Sequence, residues 1–211
     1  MQDFIIQAVL LVFAVSADAF VSALAYGVKK IRIPASSVII ISSICSLFLG
    51  ISLYAGEFIR RFLPDRTAGF ICFFILFTLG LIKLLDNAVK TFIKRRSHLN
   101  KQIKFKLLSL NFILNIYANP EDADSDRSKN LSAGEAASLA VALSLDGLAA
   151  GAAAALGGAN KPLIIALSLF VGILAITLGC RIANKATTKS QAVFSWLGGA
   201  GLIVLAVHKL F

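Results

Sequence analysis

Charge is scarce in this chain. Of 211 residues only 15% are Asp, Glu, Lys or Arg, against 58% hydrophobic, and the mean hydropathy is +0.83. A soluble domain of this length carries far more surface charge, so a soluble enzyme is excluded by composition. Histidine is nearly absent: His98 and His208 are the two, and neither accompanies another metal-ligating side chain. The three cysteines, Cys45, Cys72 and Cys180, are odd in number and widely spaced. That pattern fits neither a disulfide framework nor a zinc site, and small buried thiols are expected. No basic residue precedes the first apolar run, which opens Met1-Gln2-Asp3, so that run does not read as a cleavable signal peptide. No Gly-x-Gly-Asp phrase occurs, which argues against an intramembrane aspartyl protease, and no enzyme activity is expected.

Long apolar runs are plentiful. Six are long enough to cross a bilayer, over residues 4–28, 36–59, 67–89, 136–157, 162–180 and 191–208. The fold class expected is an all-α membrane protein with six transmembrane helices. The net charge of +10 could suggest nucleic acid, but the basic residues alternate by loop. Lys29, Lys30 and Arg32 follow the first run, eight basic residues between Lys94 and Lys129 follow the third, and Arg181, Lys185 and Lys189 follow the fifth. The other loops and termini carry only Arg60, Arg61, Arg66, Lys161 and Lys209. This is the positive-inside pattern of a cell-membrane protein, with both termini outside, loop 93–131 cytoplasmic and no nucleic-acid partner.

Two aspartates interrupt the apolar runs in similar phrases: Ser16-Ala17-Asp18-Ala19 and Ser144-Leu145-Asp146-Gly147, 128 residues apart. Each costs roughly 2.5–3.5 kcal/mol in a membrane helix on insertion scales, so a functional site is the first reading. The chain accordingly divides into a first three-helix repeat over 1–92, a cytoplasmic loop over 93–131 and a second three-helix repeat over 132–211. Three spans per repeat turn the second upside down, which makes an inverted repeat with a site near the midplane. Ser22 shares a helix face with Asp18, and Ser16 and Ser144 belong to the phrases themselves. Ala149 to Ala155 contains no bulky side chain, so the fourth segment should be surrounded by protein. Carboxylate and hydroxyl oxygens suit hard divalent cations, and Asp18, Asp146, Ser16, Ser22 and Ser144 are the candidate ligands. An intramembrane aspartate also serves proton relays, and a hydrogen-bonded structural role competes with both. At the end of the third segment, Lys83, Asp86, Asn87 and Lys90 read as a helical extension above the cytoplasmic surface, with Lys83 snorkelling.

At these phrases the chain resembles the MntP-like manganese efflux pump family of the LysE-type exporter group. The six-span layout and cytoplasmic middle loop fit as well, and Pro120-Glu121-Asp122-Ala123-Asp124-Ser125-Asp126 is similar to the sporulation-related YtaF branch. The resemblance implies Mn²⁺ export with Asp18 and Asp146 as ion-binding residues. It also implies an acidic residue in the second span of some members, whereas Val38 to Gly56 holds only Ser42, Ser43, Cys45, Ser46 and Ser52 as polar candidates.

The middle loop carries a second pattern. From Asp124, the residues Asp124, Asp126, Ser128, Asn130, Ser132 and Glu135 fall at the oxygen-ligand positions of an EF-hand calcium loop. Lys129 stands where that loop has its glycine. The competing reading is a capping box, Ser132-x-x-Glu135, at the start of the fourth segment. The stretch 103–117 mixes Lys104 and Lys106 with large apolar residues and is expected at the lipid interface or under the bundle.

The sequence therefore carries two functional readings. One is a divalent-cation efflux transporter. The other is a non-transporting membrane protein, sporulation-related, that senses an ion or docks a partner through its cytoplasmic loop. A divalent cation, Mn²⁺ or Ca²⁺, is expected as substrate or regulator, with no resident cofactor. The lipid bilayer is the other expected partner, and homo-oligomerisation stays open.

Overall fold

The computed structural model describes residues 2–84, 128–158, 160–183 and 200–207. They form helices α1 (Gln2–Val28), α2 (Ala35–Arg60), α3 (Asp65–Leu84), α4 (Ala133–Leu156) and α5 (Lys161–Ile182), and residues 200–207 are helical. No strand occurs among the described residues. All five named helices are long and apolar enough to cross a membrane. Asp124 and Asp126, the stretch 103–117, most of the sixth apolar run, and Asp86, Asn87 and Lys90 of the expected helical extension lie outside the described residues.

The bundle is apolar on the outside and small or polar within. Phe13, Ile39, Leu47, Phe58, Phe74 and Phe170 point outward, while Ser16, Ser42, Ser46, Ser144, Lys83 and Asp146 are buried. That distribution suits a lipid surround, where helices associate through close packing of small residues and not through the hydrophobic effect. As its composition predicts, α4 is the core helix: Ala136, Ala140, Ala150, Gly151 and Ala153–Ala155 are all buried.

Every extensive helix pairing among the described residues joins the first half of the chain to the second: α2 with α4, α1 with α5, α2 with α5, α3 with α4 and α1 with α4. The halves interleave. Two crossings are tight enough to exclude a methyl group. A Cβ on Gly27 would overlap the Ala183 methyl, and one on Gly179 would lie 2.7 Å from Ala23 Cβ, so α1 and α5 run side by side in the same direction. A Cβ on Gly56 would lie 2.5 Å from the Ala152 carbonyl and 2.8 Å from Ala155 Cβ, and one on Gly151 would overlap Ser52 Oγ, so α2 and α4 also run parallel.

One end of the bundle is stitched by main chain. α1 ends with Lys30 in the left-handed region (φ 59°), with Ile31 N–H donating to Tyr26 O at 2.9 Å and Lys30 N–H to Gly27 O at 3.0 Å. These are the paired bonds of a Schellman stop, with Lys where glycine is usual. Arg32 N–H then donates to Lys129 O (2.8 Å), Leu131 N–H to Arg32 O (3.0 Å) and Ser37 Oγ to Leu131 O (2.8 Å). The α1–α2 turn and the start of α4 thus lie on the same face of the bundle. At the opposite end Glu57 pairs with Lys161, whose ammonium sits 5.0 Å above the Tyr54 ring.

Candidate cation site

Asp18 lies near the middle of α1 and Asp146 near the middle of α4. Ala14 and Ala23 flank Asp18 and belong to two separate apolar clusters, as do Ala150 and Ala142 around Asp146. The carboxylates therefore sit in the polar layer between the clusters. They meet at a single cation: Lys83 Nζ is 2.8 Å from Asp18 Oδ2 and 2.7 Å from Asp146 Oδ2. The same ammonium donates to Ala14 O at 3.2 Å, and Gly147 N–H donates to Asp146 Oδ1 at 2.8 Å. Lys83 is 6% exposed, Asp146 8% and Asp18 22%.

This corrects the reading of Lys83 as a snorkelling residue on a surface extension. The packing of α3 on α4 turns the lysine inward, and two carboxylates and a main-chain carbonyl take the place of water. A usable signal was present. Lys83 is the only charged residue between Thr67 and Leu84, and two membrane carboxylates call for a positive partner. At their formal charges the three side chains sum to one negative. Two carboxylate oxygens and a carbonyl converging on one point form an oxygen set that a hard cation also accepts. Among the described residues no three His, Cys, Asp or Glu side chains gather around such a point.

Residues two apart on a helix face nearly opposite ways, since each step turns about 100°. Ser16 and Ser144 accordingly leave the aspartates and line a cavity of about 30 Å³ between α1, α2, α4 and α5. Ser42, Cys45, Ser46 and Ser168 complete its polar lining, with Val15, Ala19, Leu143, Gly147 and Gly172 among the rest. Of the second-span polar candidates, Ser42, Cys45 and Ser46 thus meet here, apart from the carboxylates, whereas Ser43 is exposed and Ser52 lies at the Gly151 crossing. Ser22 is buried on α1.

The loop residues behave as helix-start residues. Glu135 Oε2 accepts from Ser132 N–H (3.0 Å) and Ser132 Oγ (2.8 Å), and Glu135 N–H donates to Ser132 Oγ (3.4 Å), so the capping box is present. Ser128 Oγ donates to Asn130 O at 2.9 Å and accepts from Asn130 N–H at 3.2 Å. Lys129 adopts φ 61°, so the position where an EF-hand loop has glycine is left-handed here too.

With the geometry in place, comparison with known proteins gives three findings. The family described as "Putative manganese efflux pump", MntP, matches residues 84–210, a stretch that contains Asp146. "Probable sporulation protein YtaF" of Bacillus subtilis (strain 168) is 28% identical over 213 residues, covering 97% of this chain and 99% of that protein. No solved structure matches. With five apolar helices and a family match over more than half its length, this chain is a multi-pass membrane protein belonging to the MntP manganese efflux pump family.

Proposed function

We propose that the chain exports a divalent cation, Mn²⁺ first, and that Asp18 and Asp146 are its principal ligands near the membrane midplane. The observation that carries this is the meeting of two carboxylates, from matched phrases 128 residues apart, at one buried cation. The family supplies the metal: its members are described as manganese efflux pumps.

The proposed architecture is six spans in two inverted repeats, with both termini outside and loop 93–131 in the cytoplasm. The close contacts support it. Moving Ala23 and Gly27 of α1 forward by 128 gives Gly151 and Ala155 of α4, and moving Ser52 and Gly56 of α2 forward by 127 gives Gly179 and Ala183 of α5. The two tight crossings therefore map onto each other, with α1 and α4 related by the offset of 128 that separates the aspartates and α2 and α5 by one residue less. The cavity lining obeys the same rule: Val15, Ser16 and Ala19 map onto Leu143, Ser144 and Gly147. A pseudo-two-fold axis passing through the cavity and between the aspartates accounts for all of these pairs.

Lys83 then acts as a tethered substitute for the substrate. Its ammonium holds the carboxylates together while no metal is bound. A divalent cation replacing it converts an excess of one negative charge into neutrality. Lys83 must leave the carboxylates for the metal to bind both oxygens, and the long flexible lysine stem permits this without helix movement. The proposed loop ligands Asp124, Asp126, Ser128, Asn130, Ser132 and Glu135 would be a weaker, regulatory Mn²⁺ or Ca²⁺ site, for which the Glu135 carboxylate would have to release its cap.

A second reading is favoured by the same lysine: a chain that supplies its own cation can be a non-transporting member that senses an ion or docks a partner, consistent with a relative named for sporulation. One experiment separates the two. In a manganese-sensitive strain, the wild-type chain should lower cellular Mn²⁺ and restore growth, and Asp18→Asn or Asp146→Asn should abolish both at normal membrane abundance. Wild-type resistance from both Asn variants would end the aspartate reading, and no effect of the wild-type chain would favour the second one.

A further inference from the structure

We propose that the hydroxyl-lined cavity between α1, α2, α4 and α5 binds a small monovalent cation, Na⁺, as a site separate from the aspartate–lysine cluster. The cavity presents oxygen lone pairs with few protons. Ser46 Oγ directs its proton to Ile165 O (3.0 Å), Ser144 Oγ to Ala140 O (2.6 Å), and Ser168 Oγ to Ile165 O (2.9 Å) or Ser46 Oγ (3.0 Å). Cys45 Sγ also points its proton at Ala140 O, 3.7 Å away. A hydroxyl oxygen has two acceptor lone pairs, so each of these groups retains acceptor capacity after its donor is engaged.

Ser42 is the decisive residue. It is 2% exposed, lines the cavity, and its Oγ has no hydrogen-bond partner among the described residues. An unpartnered buried hydroxyl is uncommon, because it forfeits its hydration without return. A cation in the cavity supplies what the Ser42 oxygen lacks. The volume of about 30 Å³ admits one small ion or one water and no organic substrate.

The charge of the occupant follows from the surroundings. Among the described residues no carboxylate lines the cavity, and divalent cations ask for carboxylate ligands, so the lining favours unit charge. The neighbouring aspartate–lysine cluster sets two carboxylates against one ammonium, an excess of one negative at their formal charges. Gly147 touches both regions: it lines the cavity, and its N–H holds the Asp146 carboxylate. A monovalent cation in the cavity balances that excess inside the low-dielectric bundle, where an unbalanced charge is most costly. The inference uses the arrangement with Lys83 in place and does not depend on manganese export.

The test uses the purified full chain in detergent, stripped of divalent metal, with thermal unfolding followed in NaCl, KCl or choline chloride at equal ionic strength. Saturable stabilisation by NaCl over choline chloride, by about 3 °C or more, is expected when the salt exceeds the site's Kd severalfold. KCl should give a smaller shift. Ser42→Ala should unfold at the wild-type temperature or above in choline chloride and lose the NaCl shift. Equilibrium binding of ²²Na⁺ should show one saturable site per wild-type chain, which keeps the proposal testable if the variant does not fold. Identical unfolding in all three salts together with no ²²Na⁺ binding would mean the cavity holds water only. An equal NaCl shift in wild type and Ser42→Ala would place the ion elsewhere, and either result overturns the proposal.

Discussion

The two faces of the α1–α4 pair solve the problem of polarity inside a membrane in opposite ways. Toward α3 the pair presents two carboxylates and closes them on one lysine. Toward α2 and α5 it presents serines and closes them on each other and on carbonyls. One short phrase, Ser-x-Asp, builds both faces, because residues two apart on a helix point in nearly opposite directions. The charged face fixes which helices must meet, since an aspartate without Lys83 would be stranded. The hydroxyl face tolerates variation, since Ser144 and Ser168 satisfy themselves on carbonyls of their own helices and no charge is left behind when a hydroxyl is lost. Charge therefore sets architecture here, and hydroxyls set the chemistry of a space the architecture leaves.

The sharpest way to break that contrast is to remove the shared cation. Lys83→Met leaves two carboxylates facing each other in the bundle, and loss of a buried charge partner typically destabilises by about 3–5 kcal/mol. The variant is expected to accumulate poorly and to unfold well below wild type in a thermal melt in detergent. Combining it with Asp18→Asn and Asp146→Asn removes all three charges, and most of the lost stability should return. If Lys83→Met alone matches wild type, the charged face does not hold the helices together.

The charged face was only half legible in the sequence. Asp18 and Asp146 are visible because an acid inside an apolar run is rare and the phrase repeats. Lys83 is visible as a residue but not as a partner. Its position four turns into an apolar segment is compatible with either snorkelling or burial, and only the packing of α3 on α4 decides between them. The capping box at Ser132 was readable because its chemistry is local. The interleaving of the halves was not, because repeats in sequence do not say whether two units stand side by side or through each other. Nor was the convergence of Ser16, Ser42, Ser46, Ser144 and Ser168, since serines are ordinary in membrane helices.

An intermediate effect tests whether the contrast rests on one symmetric frame. Gly27 meets Ala183 and Gly56 meets Ala155 at the two crossings that map onto each other. Gly27→Ala and Gly56→Ala should each overpack the interior and lower stability by about 1–3 kcal/mol. Neither neighbour can yield cheaply, because the new methyl meets another methyl or main chain. Similar losses of melting temperature in the two variants would support the inverted frame. A large loss at one and none at the other would show that the crossings are not equivalent, and that the aspartates meet without a two-fold axis.

The smallest effect lies within the hydroxyl face. Ser144 Oγ donates to Ala140 O, a carbonyl of its own helix, and makes a longer contact with Cys45 Sγ at 3.6 Å. Side-chain hydrogen bonds inside membrane bundles average about 0.6 kcal/mol by double-mutant cycles, so Ser144→Ala should lower the melting temperature only slightly. The carbonyl that loses this donor keeps its α-helical partner, and the void left by one oxygen is small. A thermal melt of Ser144→Ala beside Lys83→Met puts the two faces on one scale, with the loss at the lysine several times larger. A loss at Ser144 comparable with that at Lys83 would mean that this serine holds something more strongly than a backbone carbonyl, and the hydroxyl face would then be as much a part of the architecture as the charged one.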